Sequence, residues 1–280
     1  MQFLKFTNDY AVRRLSLVLV AIILFTIMLT LEGQPDSFWQ NPETAIRDDG
    51  LSIYNLTNHS FAFYLGKGWL IYLFVYLIYF SAVFLLISFL PKTVSLIIIF
   101  TFLFGYYFAG CNWLAVRWHM GVKAPMIYGI SLAIAITIAA YNKRSKNDEL
   151  IIHRLRWLMI GAILLDVTNT LLGQPSAYWH NTQNVHEANL VSRFFLLQGW
   201  YAYLFMELIY CAVLYWLVSV LPKKWAILCN FYFILVSYIG ASNWFFYQWR
   251  MGRETPVIYG CILSLLIILL SFFQKFKMNK

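Results

Sequence analysis

The chain has 280 residues, of which 61% are apolar and 12% are charged, and its formal net charge is +9. Globular domains average about half apolar and a quarter charged residues, so this composition excludes an ordinary soluble fold and indicates a multi-pass membrane protein. The basic residues lie between apolar segments, where they set membrane orientation and contact lipid, and they predict the lipid bilayer as partner and no nucleic acid.

Eight apolar segments are long enough to cross a hydrocarbon core of about 30 Å, which takes roughly 20 helical residues. They lack the polar face that a helix on a soluble core would carry. In chain order they are 15–31, 69–90, 94–116, 125–141, 157–172, 200–221, 225–247 and 256–273. The sequence therefore predicts an all-α integral membrane protein with eight transmembrane helices.

The second half of the chain repeats motifs of the first half at matched spacing. Motifs between Gly68 and Gly129 return 131 residues later, and Gly33-Gln34-Pro35 returns 140 residues later. Because four spans bring the chain back to the same side, both copies enter the membrane in the same direction. We predict two parallel four-helix repeats, 1–141 and 157–280, with a pseudo-two-fold axis along the membrane normal and a basic cytoplasmic linker, 142–156.

Lys and Arg are unevenly distributed between the two sides of this arrangement. A cytoplasmic N-terminus puts 14 of the 21 basic residues on the inner side. The positive-inside rule therefore predicts that both termini are cytoplasmic, in the plasma or inner membrane if the protein is bacterial. All four cysteines fall within apolar segments without a CxxC motif, which indicates packing residues and neither disulfides nor metal ligands.

Two acidic residues interrupt the apolar segments of the second half only. Asp166 stands where the first half has Thr26, and Glu207 stands where it has Tyr76. A charge there costs about 3 kcal/mol, so each carboxyl is expected to be neutral, paired or in contact with water. The candidate intramembrane polar site comprises Asp166, Asn169, Thr170, Tyr203 and Glu207. Either it forms a proton or cation pathway, or it is a protonated carboxyl cluster held by hydroxyls.

A second candidate site lies on the outer face, where tryptophans and amides recur in both halves. Its residues are Gln34, Trp39, Asn41, Asn112, Trp113, Gln174, Trp179, Asn181, Asn243 and Trp244. Aromatic faces beside amides suit a sugar, a lipid headgroup or a peptide. The structural alternatives are an aromatic belt for the tryptophans and a helix stop for the Gly-Gln-Pro segments.

No enzyme, metal or cofactor motif is present: the histidines form no HExxH pair, and there is no phosphate loop or nucleophile elbow. Three function classes remain open. The first is a small transporter or channel for an ion or solute with a polar, aromatic outer vestibule. The second is a non-catalytic subunit that anchors or assembles a membrane complex, or a homo-oligomer. The third is a membrane enzyme acting on a lipid or a lipid-linked sugar.

Overall fold

The computed structural model of the protein describes residues 10–41, 64–116, 118–121, 123–140, 148–245, 249 and 254–272. Every regular element in these ranges is helical. The long helices are α1 Tyr10–Glu32, α3 Trp69–Phe89, α4 Lys92–Val116, α5 Lys123–Ala140, α6 Asp148–Leu172, α8 Trp200–Val220, α9 Lys223–Asn243 and α10 Glu254–Phe272. The short elements are α2 Asp36–Gln40, α7 Leu190–Gln198 and two 3₁₀ turns, Ser176–Trp179 and Thr182–Asn184.

Six of these helices are long and apolar enough to cross a membrane: Val12–Glu32, Trp69–Phe89, Lys92–Ala115, Ile151–Leu172, Trp200–Val220 and Lys223–Asn243. The protein is therefore an all-helical, multi-pass membrane protein. The other two predicted spans, 125–141 and 256–273, correspond to α5 and α10, whose apolar segments Lys123–Ala139 and Thr255–Leu270 are shorter. Their crossing of the membrane stays a prediction.

Helix ends agree with the Gly and Pro signals in the sequence. α1 stops at Gly33-Gln34-Pro35, where the N–H of Gly33 donates to the carbonyl of Leu29 at 3.0 Å. Proline lacks an N–H and disfavours helix in the residue before it, so Pro91 and Pro222 separate α3 from α4 and α8 from α9. α6, in contrast, begins at Asp148 rather than Trp157, so its first turns include residues predicted as linker. The rest of that linker, 142–147, and both chain ends lie outside the described residues.

Contacts between Cα atoms divide the chain into two compact units. Unit 1 contains residues 1–124 and 256–268, and within it α1 packs along α4, with α3 against α4. Buried residues recur every three or four positions along α1, as expected when one side of a helix faces the core. Its buried members include Leu15, Leu19, Ile22, Ile23 and Thr26.

Unit 2 contains residues 125–255 and 269–280. Here α6 packs along α9, α8 contacts both helices, and α7 lies against α8. In each unit, three long helices from one half of the sequence are grouped with most of the last helix of the other half. The two compact units therefore do not coincide with the two halves of the sequence, because each unit includes most of one helix from the other half.

Candidate functional site

A glycine–tryptophan contact fixes one end of the main helix pair in each unit. A Cβ atom at Gly173 would overlap the indole ring of Trp244, and one at Gly33 would overlap the ring of Trp113. Only a glycine lets the ring lie directly against the helix backbone at these positions. This contact sets the spacing of α6 and α9 next to the polar residues of unit 2.

Asp166 lies on α6 with its carboxyl group against α9. A Cβ atom at Gly240 would overlap the carboxyl of Asp166, so the absence of a side chain at 240 makes room for the acid. The corresponding residues of the first half are Thr26, which is fully buried, and Ala109, which is 2% exposed. In the second half, glycine replaces alanine on α9 where the longer aspartate replaces threonine on α6.

Tyr203 and Glu207 extend the polar cluster onto α8. Both residues are buried, and Tyr203 forms side-chain hydrogen bonds with Thr170 of α6 and with Glu207 one turn along its own helix. Asp166 and Glu207 lie within electrostatic range of each other. The two intramembrane carboxyls therefore belong to one cluster together with a phenol and a threonine.

The same geometry in unit 1 lacks the acids. Tyr72 lies beside Thr30 and Tyr76, and the rings of the two tyrosines contact edge-on with centroids 4.7 Å apart. Tyr76 stands where unit 2 has Glu207, so a phenol in one unit is replaced by a carboxyl in the other. The acidic character of the cluster is specific to unit 2.

Glu187, in the segment before α7, is a third carboxyl of this cluster. It lies within electrostatic range of Asp166, Tyr203 and Glu207. Its Oε1 accepts the N–H of Asn189 at 2.7 Å. The cluster therefore extends from the span of α6 to the segment that connects it to α7.

Gln174 holds the segment that carries Glu187. Its Nε2 donates to the carbonyls of Thr170 at 3.0 Å and His186 at 3.1 Å, while its Oε1 accepts the N–H of His186 at 2.8 Å. These bonds satisfy both parts of a buried amide and fix the backbone next to Glu187. A helix stop alone would not need a glutamine, and here the glutamine positions the acid.

Asn169 adds an unused donor near Asp166. The residue is 5% exposed, and within the described part of the chain its amide nitrogen has no acceptor. The first half has Leu29 at this position, in an apolar contact with Trp113. A buried amide without a partner is unfavourable unless something else completes its hydrogen bonds, so this amide, three residues after Asp166 on α6, favours a polar ligand in this region.

The outer-face tryptophans separate into two groups. Trp113 is 3% exposed because its ring covers Gly33, and Trp244 similarly covers Gly173. Trp39 and Trp179 are about half exposed and contact the preceding aromatic residue edge-on. The first group is packed into the helix contacts, and only the second presents ring surface to the surroundings.

The outer-face amides mainly serve the backbone nearby. Gln34 donates to the carbonyl of Thr30 at 3.0 Å, and Asn181 accepts the N–H of Gln183 at 3.0 Å. Asn41 donates its backbone N–H to Ser37 at 2.8 Å. Asn112 and Asn243 each keep one buried amide atom without a partner among the described residues. A ligand-binding role for this outer set stays a prediction.

The sequence singled out neither Glu187 nor Gly240 as part of the site. Glu187 is one charged residue in a polar connecting segment, and no local pattern relates it to Asp166. Gly240 could have been found by aligning the two halves, since Thr26 with Ala109 becomes Asp166 with Gly240. Among the described residues, no three His, Cys, Asp or Glu side chains are grouped to hold a metal ion.

Comparison with known proteins gives no indication of function, so the proposal below is argued from the residues of the site. No protein-family model, curated protein or solved structure matches the chain.

We expect Gly240→Ala to destabilise the protein, because the new methyl group must displace the carboxyl of Asp166 or separate two packed helices. Overpacking of this kind costs roughly 1–3 kcal/mol. The double change Asp166→Thr with Gly240→Ala recreates the pair Thr26 and Ala109 and should recover most of the loss. Thermal unfolding of the wild type, the two single variants and the double variant measures the coupling energy between positions 166 and 240. Additive effects of the two changes would contradict the proposed contact.

Glu187 should make stability depend on pH. Burial raises the pKa of Glu187 above its ordinary value of 4.5, while the N–H groups of Asn189 and Ala188 and the nearby His186 partly oppose the rise. A raised carboxyl pKa favours the folded state when the group is protonated, so this stabilisation is complete below the ordinary pKa and is lost as pH rises through the folded-state pKa. Glu187→Gln should therefore become more stable relative to wild type as pH rises from the ordinary pKa of 4.5 toward neutral. A constant difference in unfolding temperature across that range would refute the assignment.

Proposed function

We propose that the protein is a small membrane transporter or channel that moves a cation or a proton through the acidic cluster of unit 2. The observation that carries this proposal is that Asp166, Glu187 and Glu207 lie within electrostatic range of one another and of Tyr203. Each buried charge is expensive, and carboxylates in mutual range disfavour one another's ionisation. The three carboxyl groups are stable in this region when protons or a cation neutralise their charges.

The location of the three acids supports entry from the outer side. Glu187 lies in the segment between α6 and α7, Glu207 on α8, and Asp166 within the span Ile151–Leu172. A series of like charges that leads from a connecting segment into a span attracts cations and concentrates them at the opening. The donor of Asn169 and the hydroxyls of Thr170 and Tyr203 supply partners for the water that a hydrated cation carries.

We further propose that the protein consists of two parallel four-helix repeats with eight spans, of which the second repeat has specialised. Local geometry supports the first part of this proposal. Gly68 and Gly199 precede α3 and α8 with φ of 120° and 127°. The rings of Tyr79 and Phe102 are neighbours with centroids 6.4 Å apart, and those of Tyr210 and Phe233 are neighbours at 6.0 Å. The second repeat has Asp166 and Glu207 in place of Thr26 and Tyr76, which supports its specialisation.

The excess of basic residues at one end of the helices supports cytoplasmic termini. Reporter domains fused after Lys280 should be accessible from the cytoplasm, and reporters inserted at Asp48 should be accessible from the opposite side. Accessibility of both positions from one side would rule out this orientation.

Ion flux tests the transport proposal directly. Purified protein is reconstituted into liposomes that contain pH-sensitive and sodium- or potassium-sensitive dyes, and an ion gradient is applied with the membrane potential clamped. We expect a flux of protons or of one alkali cation above that of protein-free liposomes. Absence of flux for all three ions in vesicles that contain folded protein would overturn the proposal.

A subunit of a larger membrane complex is the second candidate, and the exposure of two spans favours it. Only 17% of the α3 span and 22% of the α8 span are buried within the protein, compared with 67% and 61% for α4 and α9. Their outer faces suit lipid or the helices of a partner. Purification in a mild detergent tests this candidate, since a stoichiometric partner or a second copy of the chain should then remain bound.

A further inference from the structure

Cationic and aromatic side chains are concentrated at the end of unit 2 where α6 and α9 begin and α8 ends. We call this region the basic end, and define it by Arg156, Trp157, Tyr215, Lys223, Lys224 and Trp225. It is remote in sequence from Glu187 and the Gln174 segment at the other end of α6. The basic end shares no residue with the acidic cluster of the proposed transport function.

The guanidinium group of Arg156 is held in place without a carboxylate. Its Nη1 donates to Ser219 Oγ at 2.6 Å, and its central carbon lies 4.7 Å from the centroid of the Tyr215 ring. Within the part of the chain that the structure describes, Nε has no acceptor and the side chain forms no ion pair. A fixed arginine whose charge no carboxylate balances is suited to an oxyanion such as phosphate, two of whose oxygens can accept N–H groups of the planar guanidinium.

Aromatic rings and further cations flank this arginine. Trp157 packs on Tyr215 with ring centroids 5.2 Å apart, and Trp157 and Trp225 are each 56% exposed. Lys223 joins α9 to the start of α6 through Glu149, with the Nζ and Oε1 atoms 3.3 Å apart. Lys224 follows at once and is a second lysine at the start of α9. Exposed indoles at the end of a span are most stable at the level of lipid headgroups.

The first half keeps a lysine, Lys92, in place of Lys223, but it lacks the other two cations and both tryptophans at the matching positions. Ser16 and Leu17 stand in place of Arg156 and Trp157, and Thr93 and Val94 stand in place of Lys224 and Trp225. Ser16 is buried and bonds to its own helix, with Oγ donating to the carbonyl of Val12 at 2.8 Å. Helix packing of this type therefore needs neither the cations nor the tryptophans, which must serve another purpose in unit 2.

We infer that the basic end binds the phosphate of an anionic phospholipid, with Arg156 and Lys224 contacting the headgroup and Trp157 and Trp225 contacting its glycerol and upper acyl region. Charge complementarity identifies the phosphate, and the exposed indoles favour a lipid over free phosphate. An annular lipid held here would sit against α8, whose exposed face includes Trp216.

Native mass spectrometry of the full chain in detergent tests this inference, with phosphatidylglycerol and phosphatidylcholine as probes. We expect phosphatidylglycerol to bind more tightly. Arg156→Ser should weaken its binding about fivefold, and Arg156→Ser with Lys224→Thr about 25-fold, because each cation near the surface contributes about 1 kcal/mol. Arg193→Ser, which removes an exposed arginine of α7, is the matched control and should leave binding unchanged.

Three outcomes would overturn the inference. The first is equal binding of the two lipids, and the second is a loss in the control as large as that in Arg156→Ser. The third is displacement of phosphatidylglycerol by inorganic phosphate at equal concentration, which would identify an ion site and not a lipid site. Lys224→Thr alone leaves the hydrogen bond between Arg156 and Ser219 in place, and this variant should still lose about fivefold if Arg156→Ser unfolds.

Discussion

Asp166→Asn and Glu207→Gln should each lower ion flux at least about tenfold while leaving the protein folded. An amide keeps the size and most of the hydrogen-bonding capacity of a carboxyl but cannot take up a proton or balance a cation. Hydrogen bonds to charged groups contribute about 1.5–3 kcal/mol, which corresponds to about 10- to 100-fold in affinity. Flux in liposomes, with circular dichroism of the same samples, measures both effects.

The first half of the chain provides the control for this experiment. Thr26→Val and Tyr76→Phe alter the matching positions of unit 1 without touching the acids of unit 2, so flux should persist. A purely structural role of the acids predicts the opposite pattern, in which the amide variants retain flux and its dependence on pH. Retained flux in both amide variants would therefore refute a role of the acidic cluster in transport.

Gly173→Ala should be the most destabilising single-methyl change in α6 and its following turn. The new Cβ would overlap the indole of Trp244 at the end of α9 and lie close to the carbonyl of Asn169 in α6. Relief of the overlap with the indole requires a shift of that ring or a separation of α6 from α9. Overpacking costs roughly 1–3 kcal/mol, and a tryptophan against backbone belongs at the upper end. Gly33→Ala should have a similar effect against Trp113 in unit 1. Thermal unfolding in detergent measures the loss.

Gly161→Ala is the matched control, since nothing lies within 4 Å of a Cβ at that position of the same helix. Alanine is favoured over glycine in a helix interior by up to about 1 kcal/mol, so this variant should be as stable as wild type or more stable. Equal destabilisation by Gly161→Ala and Gly173→Ala would mean that the Gly173 contact with Trp244 does not stabilise the fold.

Much of the secondary structure could be predicted because its signals are local. Apolar runs of about 20 residues have few alternatives to a spanning helix, since the bilayer leaves no water for backbone groups. Helices end at the glycine and proline of 33–35 and at the prolines 91 and 222, residues that disfavour helix from local sequence alone. The start of α6 was predicted too late, because charged residues such as Arg154 and Arg156 are good helix formers even where a hydrophobicity pattern ends.

The candidate site was predictable only in part. Asp166 and Glu207 are conspicuous because a charge within an apolar run is costly, whatever its neighbours. Glu187 is one charged residue among many in polar segments, and only the bonds of Gln174 to His186 bring it near Asp166. That pairing depends on how a turn folds back over 12 residues, which no periodicity encodes.

By itself, the sequence determined that this is a helical membrane protein, where most helices begin and end, and that acids enter the spans of the second half alone. Those properties follow from the free energy of each segment in lipid, which depends on composition and local order. Tertiary structure alone decided that Asp166 lies against Gly240, that Trp113 and Trp244 cover glycines, and that α10 is grouped mainly with the helices of the first half. These depend on close packing between helices far apart in the chain, where the fit of one side chain to one gap selects the partner.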